Sequence, residues 1–119
     1  MKRPPCAGVL HCLPTNTRSP LIMARTPEGR VKDMCVAVIK QYGAYYFFPQ
    51  AGIHGRAGIP DIIVCYKGYF LGVECKAGYN KPTALQEKEM DAIFKAGGSA
   101  FVVREDTTGH LIDWFHTRT

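Results

Sequence analysis

Apolar residues recur at Val31, Met34, Cys35, Val38, Ile39 and Tyr42, the three-and-four spacing of a helix that buries one stripe. Thr26 can cap its start, Pro27 suits the first helical position, and Glu28 is favourable beside the positive end of the macrodipole. The aromatic-rich stretch from Ala44 to Pro49 reads as a first strand, and Gln50 to Gly58 as a glycine-rich loop. Two apolar runs then flank Lys67-Gly68, which predicts a hairpin whose strands are enclosed on both faces. Thr83-Ala84-Leu85-Gln86 fits a capping box at the start of a second helix, which runs to Gly97-Gly98. Ser99 to Arg104 and His110 to Phe115 read as two further strands joined by a polar turn at Thr107-Thr108-Gly109.

The hairpin carries the chemistry. With a two-residue turn Tyr66 pairs with Tyr69, and the same register sets Asp61 directly opposite Glu74. Opposed residues hold their Cβ atoms about 4.5–5.5 Å apart, and period-two alternation puts Glu74 and Lys76 on one face. Two facing carboxylates repel, so the pair calls for a cation. Hard oxygen ligands suit Mg²⁺, with Mn²⁺ as a substitute, and Mg²⁺ uses one or two protein carboxylates while keeping waters for phosphate oxygens. A lysine alongside would orient a nucleophile or stabilise developing negative charge. Taken alone, an acid-x-Lys triplet is commonly a solvated strand face. The register, the Gly58-Ile59-Pro60-Asp61 entry and the apolar flanks favour a site.

Gly58-Ile59-Pro60-Asp61, then Glu74-Cys75-Lys76, then Thr83 through Gln86 on a helix ending at Gly97-Gly98, together resemble the VRR-NUC branch of the PD-(D/E)XK nucleases over roughly Pro27 to Val103. The resemblance implies an α/β fold with a restriction-endonuclease-like αβββαβ core, a central mixed sheet flanked by helices. It implies a divalent-metal-dependent DNA endonuclease with Asp61 and Glu74 as metal ligands, Cys75 offering its backbone carbonyl, and Lys76 as catalytic lysine. Glu28 matches the acidic residue of the family's first helix, which makes it a further candidate metal ligand and catalytic residue from a third element, although an acid in a first turn is also an ordinary dipole partner. Gln86 matches an active-site glutamine. A cap turns that side chain outward whereas its helical phase, shared with Met90 and Ile93, turns it inward, so the two roles compete. Stand-alone members are similar in being homodimers that act on branched DNA such as four-way (Holliday) junctions or flaps, an inference by analogy.

Charge changes the picture less than its total suggests. Residues 1–32 carry six basic groups against Glu28, and residues 33–119 hold nine of each sign. The excess of +5 is therefore N-terminal, and the pI is no evidence for a basic face on the core. Residues 1–22 lack periodicity and read as a flexible basic arm, not necessarily part of the native protein because Met23 offers a second start. The resemblance makes residues 23–119 the expected VRR-NUC nuclease domain. The opening Met1-Lys2-Arg3 and apolar Cys6 to Leu13 lack the length and cleavage site of a signal peptide. No run approaches a membrane span. Five cysteines without a CxxC motif, Cys35 and Cys65 among them on buried patterns, fit a reducing, cytoplasmic setting, that of the host if phage-encoded.

Arg56 and His54 in the glycine-rich loop, and Lys81 before the second helix, are candidate phosphate contacts. His110 and His116 lack partners at metal-ligand spacing and read as surface residues. Trp114 and the Tyr45, Tyr46, Phe47, Phe48 cluster read as core or dimer interface. No organic cofactor is indicated. Two alternatives stand beside the enzyme: a nuclease-like protein that binds nucleic acid without cutting, and a KH-type RNA binder suggested by Gly55-Arg56-Ala57-Gly58. A KH loop joins two helices, whereas this one lies between predicted strands.

Overall fold

The computed structural model describes residues 26–50 and 56–119. The expected arm at residues 1–22 lies outside them. Helix α1 (Pro27–Gln41) starts as the sequence dictates, with Thr26 Oγ1 accepting a hydrogen bond from Gly29 N at 3.0 Å. Val31, Cys35 and Ile39 form its buried stripe. Met34, expected in that stripe, lies exposed at its edge.

Strand β1 (Tyr45–Phe47) follows, then the hairpin of β2 (Ile62–Tyr66) and β3 (Tyr69–Cys75). Tyr66 pairs with Tyr69 and Ile62 with Val73. The turn residues Lys67 and Gly68 both take positive φ, 52° and 86°, as the twist of a two-residue hairpin requires. Helix α2 (Ala84–Lys95) carries the chain across to β4 (Ser99–Val103), which pairs parallel to β3. The sheet is mixed, with order β1-β2-β3-β4.

The stretch from His110 to Phe115, expected to be a strand, is instead helix α3 (Thr108–His116). Leu111, Trp114 and Phe115 are its buried residues while Ile112 is exposed, so burial follows the helical period and not alternation. Phe115 stacks on Tyr42 with ring centroids 4.8 Å apart, which ties α3 to the end of α1. Together α1 and α3 cover one sheet face, enclosing Ile62, Val64, Leu71, Val73 and Val103. His110 and His116 are exposed.

Helix α2 covers part of the other face. It can sit close because Gly72 has no side chain: a Cβ there would lie 2.8 Å from Pro60 Cγ and 3.0 Å from Ile93 Cδ1. Beyond α2 no other helix among the described residues covers this face. Cys65, expected to be buried, is exposed, because only Ile62, Val64 and Tyr66 of β2 point into the covered layer. Of the aromatic cluster, Tyr46 packs against the core. Tyr45, Phe47 and Phe48 are exposed, Tyr45 by 70%, so they are not core residues of this chain. Trp114 is. No helix among the described residues is long and apolar enough to cross a membrane.

Candidate active site

The approach to Asp61 is built on a glycine. Gly58 has φ +85°, and a Cβ there would fall 2.5 Å from Leu85 O and 2.9 Å from Gln86 N. The loop backbone therefore lies directly on the first turn of α2, a position and conformation that only glycine supplies. Pro60 is buried, and Asp61 follows one residue before β2, where the hairpin register carries it opposite Glu74. Its Oδ2 accepts a hydrogen bond from Cys75 N at 2.9 Å. That bond locks the carboxyl to the neighbouring strand just where strand pairing ends.

Glu74 is 2% exposed. Its Oε2 accepts from Gln86 Nε2 at 2.8 Å and lies 3.9 Å from Lys76 Nζ. Its Oε1 is buried without a hydrogen-bond partner. Burial, followed by the nearby Asp61 carboxyl acting both as a charge and as a hydrogen-bonding neighbour, pushes the Glu74 carboxyl from 4.5 up to about 8. Lys76 offsets part of that rise, and Glu28 adds a small push in the same direction. The site thus holds two close acids, one lysine, and an orphaned oxygen that in a packed interior has a desolvation cost of about 1–3 kcal/mol.

Gln86 both caps α2 and reaches inward to Glu74, two orientations that the sequence sets in competition. Its Oε1 accepts from Thr83 N at 2.8 Å, and Thr83 Oγ1 accepts from Gln86 N at 3.2 Å, completing the capping box. The amide NH₂ of the same side chain is left to donate to Glu74. An amide carries donor and acceptor on separate atoms, so one orientation satisfies both partners.

The structure therefore gathers Asp61, Glu74, Lys76, Gln86 and the Cys75 backbone at one end of the hairpin. Glu28, in the first turn of α1, reaches Glu74 only as a weak charge. Among the described residues no group of three or more His, Cys, Asp or Glu side chains is set to hold a metal ion. Arg56 is 78% exposed and ion-paired with Glu89 of α2 at 3.1 Å. Lys81 is exposed on the loop before α2, and His54 lies outside the described residues. Of the Gly-x-x-Gly stretch, the described residues Arg56 to Gly58 lead into β2 and not into a helix, so the KH arrangement does not hold.

Two features of the site depend on contacts between segments far apart in the chain. The role of Gly58 depends on contact with Leu85, far along the chain. Cys75 Sγ donates to Cys35 Sγ of α1 at 3.9 Å, and that bond together with burial pushes the Cys75 thiol far up. Period-two alternation is the signal that points Cys75 away from its neighbours and into the core.

No family model matches the chain, and a search of curated proteins returns no match. Among solved structures, one described as a "VRR_NUC domain" superposes with a TM-score of 0.58 at 26% identity, covering 78% of this chain and 94% of that one. The chain has a VRR-NUC fold. It is a nuclease-type domain, and its mixed four-stranded sheet with flanking helices is the α/β architecture that the sequence motifs imply. Within the VRR-NUC fold the hairpin end described above is where the chain concentrates its buried charge.

Proposed function

We propose that the protein is a divalent-metal-dependent DNA endonuclease that hydrolyses phosphodiester bonds, with branched DNA such as four-way junctions or flaps as its substrate. The observation that carries this reading is the buried, partnerless Glu74 Oε1 beside the Asp61 carboxyl. Two acids and one free oxygen fit a hard cation, and Mg²⁺ needs no more than one or two protein carboxylates. Asp61, Glu74 and the Cys75 carbonyl would hold Mg²⁺, or Mn²⁺ in its place, with Glu28 contributing charge from α1. When bound, the ion would polarise a phosphoryl oxygen and acidify a coordinated water.

The chain's own residues do the rest. Gln86 fixes the Glu74 carboxyl by donating to Oε2, and Cys75 N fixes that of Asp61. Lys76 Nζ, 3.9 Å from Glu74 Oε2 and largely buried, supplies a cation in a low-dielectric setting, where it counts for more than on a wet surface. It would orient the attacking water and stabilise negative charge on the phosphoryl group. The exposed aromatics Tyr45 and Phe47 of the edge strand, with Phe70 on the same sheet face, support association of two copies, and a two-fold assembly would cut a symmetric branch on both sides. Light scattering of the protein alone and with a junction tests that assembly.

The deciding experiment incubates purified protein with labelled four-way junction, flap and linear duplex in Mg²⁺, Mn²⁺ or EDTA, alongside Asp61→Ala and Lys76→Ala. Metal-dependent cutting of the branched substrates that both substitutions abolish is the expected result. Binding without cutting in every metal would make the protein an accessory DNA binder, and equal cutting by the variants would trace the activity to a contaminant.

A further inference from the structure

Directly after Lys76, the chain makes a tight turn that is braced from outside. Asn80 N donates to Ala77 O at 3.1 Å, closing the turn, and Gly78 takes φ +57° within it. Glu105, in the β4–α3 connection, accepts from Gly78 N with both carboxylate oxygens, at 3.0 and 3.2 Å. Arg104 donates through Nε to Gly78 O at 3.2 Å and through its guanidinium to Asn80 O. On the far side, Thr83 N is held by Gln86, which also holds Glu74. Every bond in this brace engages a backbone N–H or C=O of the loop, so the loop is held in place without any use of the Tyr79 side chain.

Tyr79 sits at the tip of that turn and is 98% exposed, the most exposed of the chain's large hydrophobic residues among those described. An aromatic ring left wholly in water forgoes the burial that usually holds such rings. A braced backbone also removes most of the entropy cost of presenting it, because a tyrosine ring has only two side-chain torsions to fix. Lys81 is exposed two positions further on, where a cation can meet a phosphate while the ring meets a base.

We propose that Tyr79 is a DNA-contact residue that stacks on an unpaired or unstacked base next to the scissile region. A ring projecting from a turn can stack only on an open base face, which intact duplex does not offer and a branch point or gap does. This rests on the DNA-cleaving function proposed above and adds a residue that selects for distorted DNA.

The test is fluorescence anisotropy with a fluorescein-labelled duplex containing a short single-stranded gap and with the intact duplex, in Ca²⁺ in place of Mg²⁺ to hold off cleavage. Tyr79→Ala is expected to weaken gapped-duplex binding by roughly 5- to 150-fold, the range for loss of one base–aromatic stack, and intact-duplex binding by less than about 2-fold. Tyr79→Phe, which keeps the ring, is expected to bind as the unsubstituted protein does. Unchanged binding by Tyr79→Ala, an equal loss on both DNAs, or a loss by Tyr79→Phe as large as that of Tyr79→Ala overturns the stacking role and leaves the nuclease function standing. Failure of the unsubstituted protein to bind either DNA overturns both.

Discussion

Replacing Glu74 with glutamine isolates the electrostatic cost of the site. In the metal-free protein the Glu74 carboxyl is raised from 4.5 to about 8, chiefly by burial and then by Asp61. The folded protein therefore keeps a proton that the unfolded chain gives up. The stability this contributes is complete below pH 4.5 and is lost as pH climbs through about 8. Over that interval the linkage amounts to on the order of 5 kcal/mol, with a slope of about 1.4 kcal/mol per pH unit at its steepest. Glu74→Gln retains the size of the side chain and stays neutral at every pH. Urea unfolding in EDTA at pH 5.5, 6.5 and 7.5 should show the variant gaining on the unsubstituted protein by about 1 kcal/mol per pH unit, other titrating groups cancelling in the difference. Millimolar Mg²⁺ at pH 8 should then restore the unsubstituted protein and leave Glu74→Gln unchanged, because an ion that binds only the folded state adds its binding energy to stability. A constant gap between the two proteins across this pH range would refute the argument, since it would mean that Glu74 titrates alike folded and unfolded.

Gly58→Ala combines a left-handed backbone with a Cβ 2.5 Å from Leu85 O, so a loss of about 2 kcal/mol or more is expected in thermal or urea unfolding, together with loss of cleavage as the Asp61 entry shifts. Thr83→Ala removes only the cap and should cost about 1 kcal/mol of stability while preserving cleavage. Gln86→Ala should cost a similar amount and also reduce the cleavage rate by about 10-fold or more, because Glu74 loses its donor; equal rates for the two variants would separate Gln86 from the chemistry. Glu89→Gln leaves Arg56 without its carboxylate partner and should tighten DNA binding while steepening its salt dependence by about one phosphate contact, with stability within about 0.5 kcal/mol of the starting protein because the pair is exposed.

The hairpin was readable because everything that sets its register is local: two central residues able to take positive φ and an apolar run on each side. Helix α1 was readable for the same reason, its cap, proline and stripe lying within one segment. His110 to Phe115 misled because a short apolar run with Leu111, Ile112, Trp114 and Phe115 suits either period. Helical burial of Leu111, Trp114 and Phe115 against α1 decides it, and that contact is invisible in the segment itself. Cys65 and Tyr45 misled differently: their apolar character is real, but α2 is too short to roof the whole sheet face. At the site, the facing of Asp61 and Glu74 followed from pairing arithmetic. The close seat of Gly58 on α2 and the double engagement of Gln86 required knowing where α2 docks.

Gln86 makes the first turn of α2 and the posture of an acid on β3 a single event. Helix ends fray, and each time this one does, the amide that steadies Glu74 leaves with it. Hydrogen-exchange protection at Gln86 N therefore reports the fraction of molecules with an assembled site at any instant. A ligand that binds only the assembled site should raise that fraction, so added DNA should slow exchange at Gln86 N.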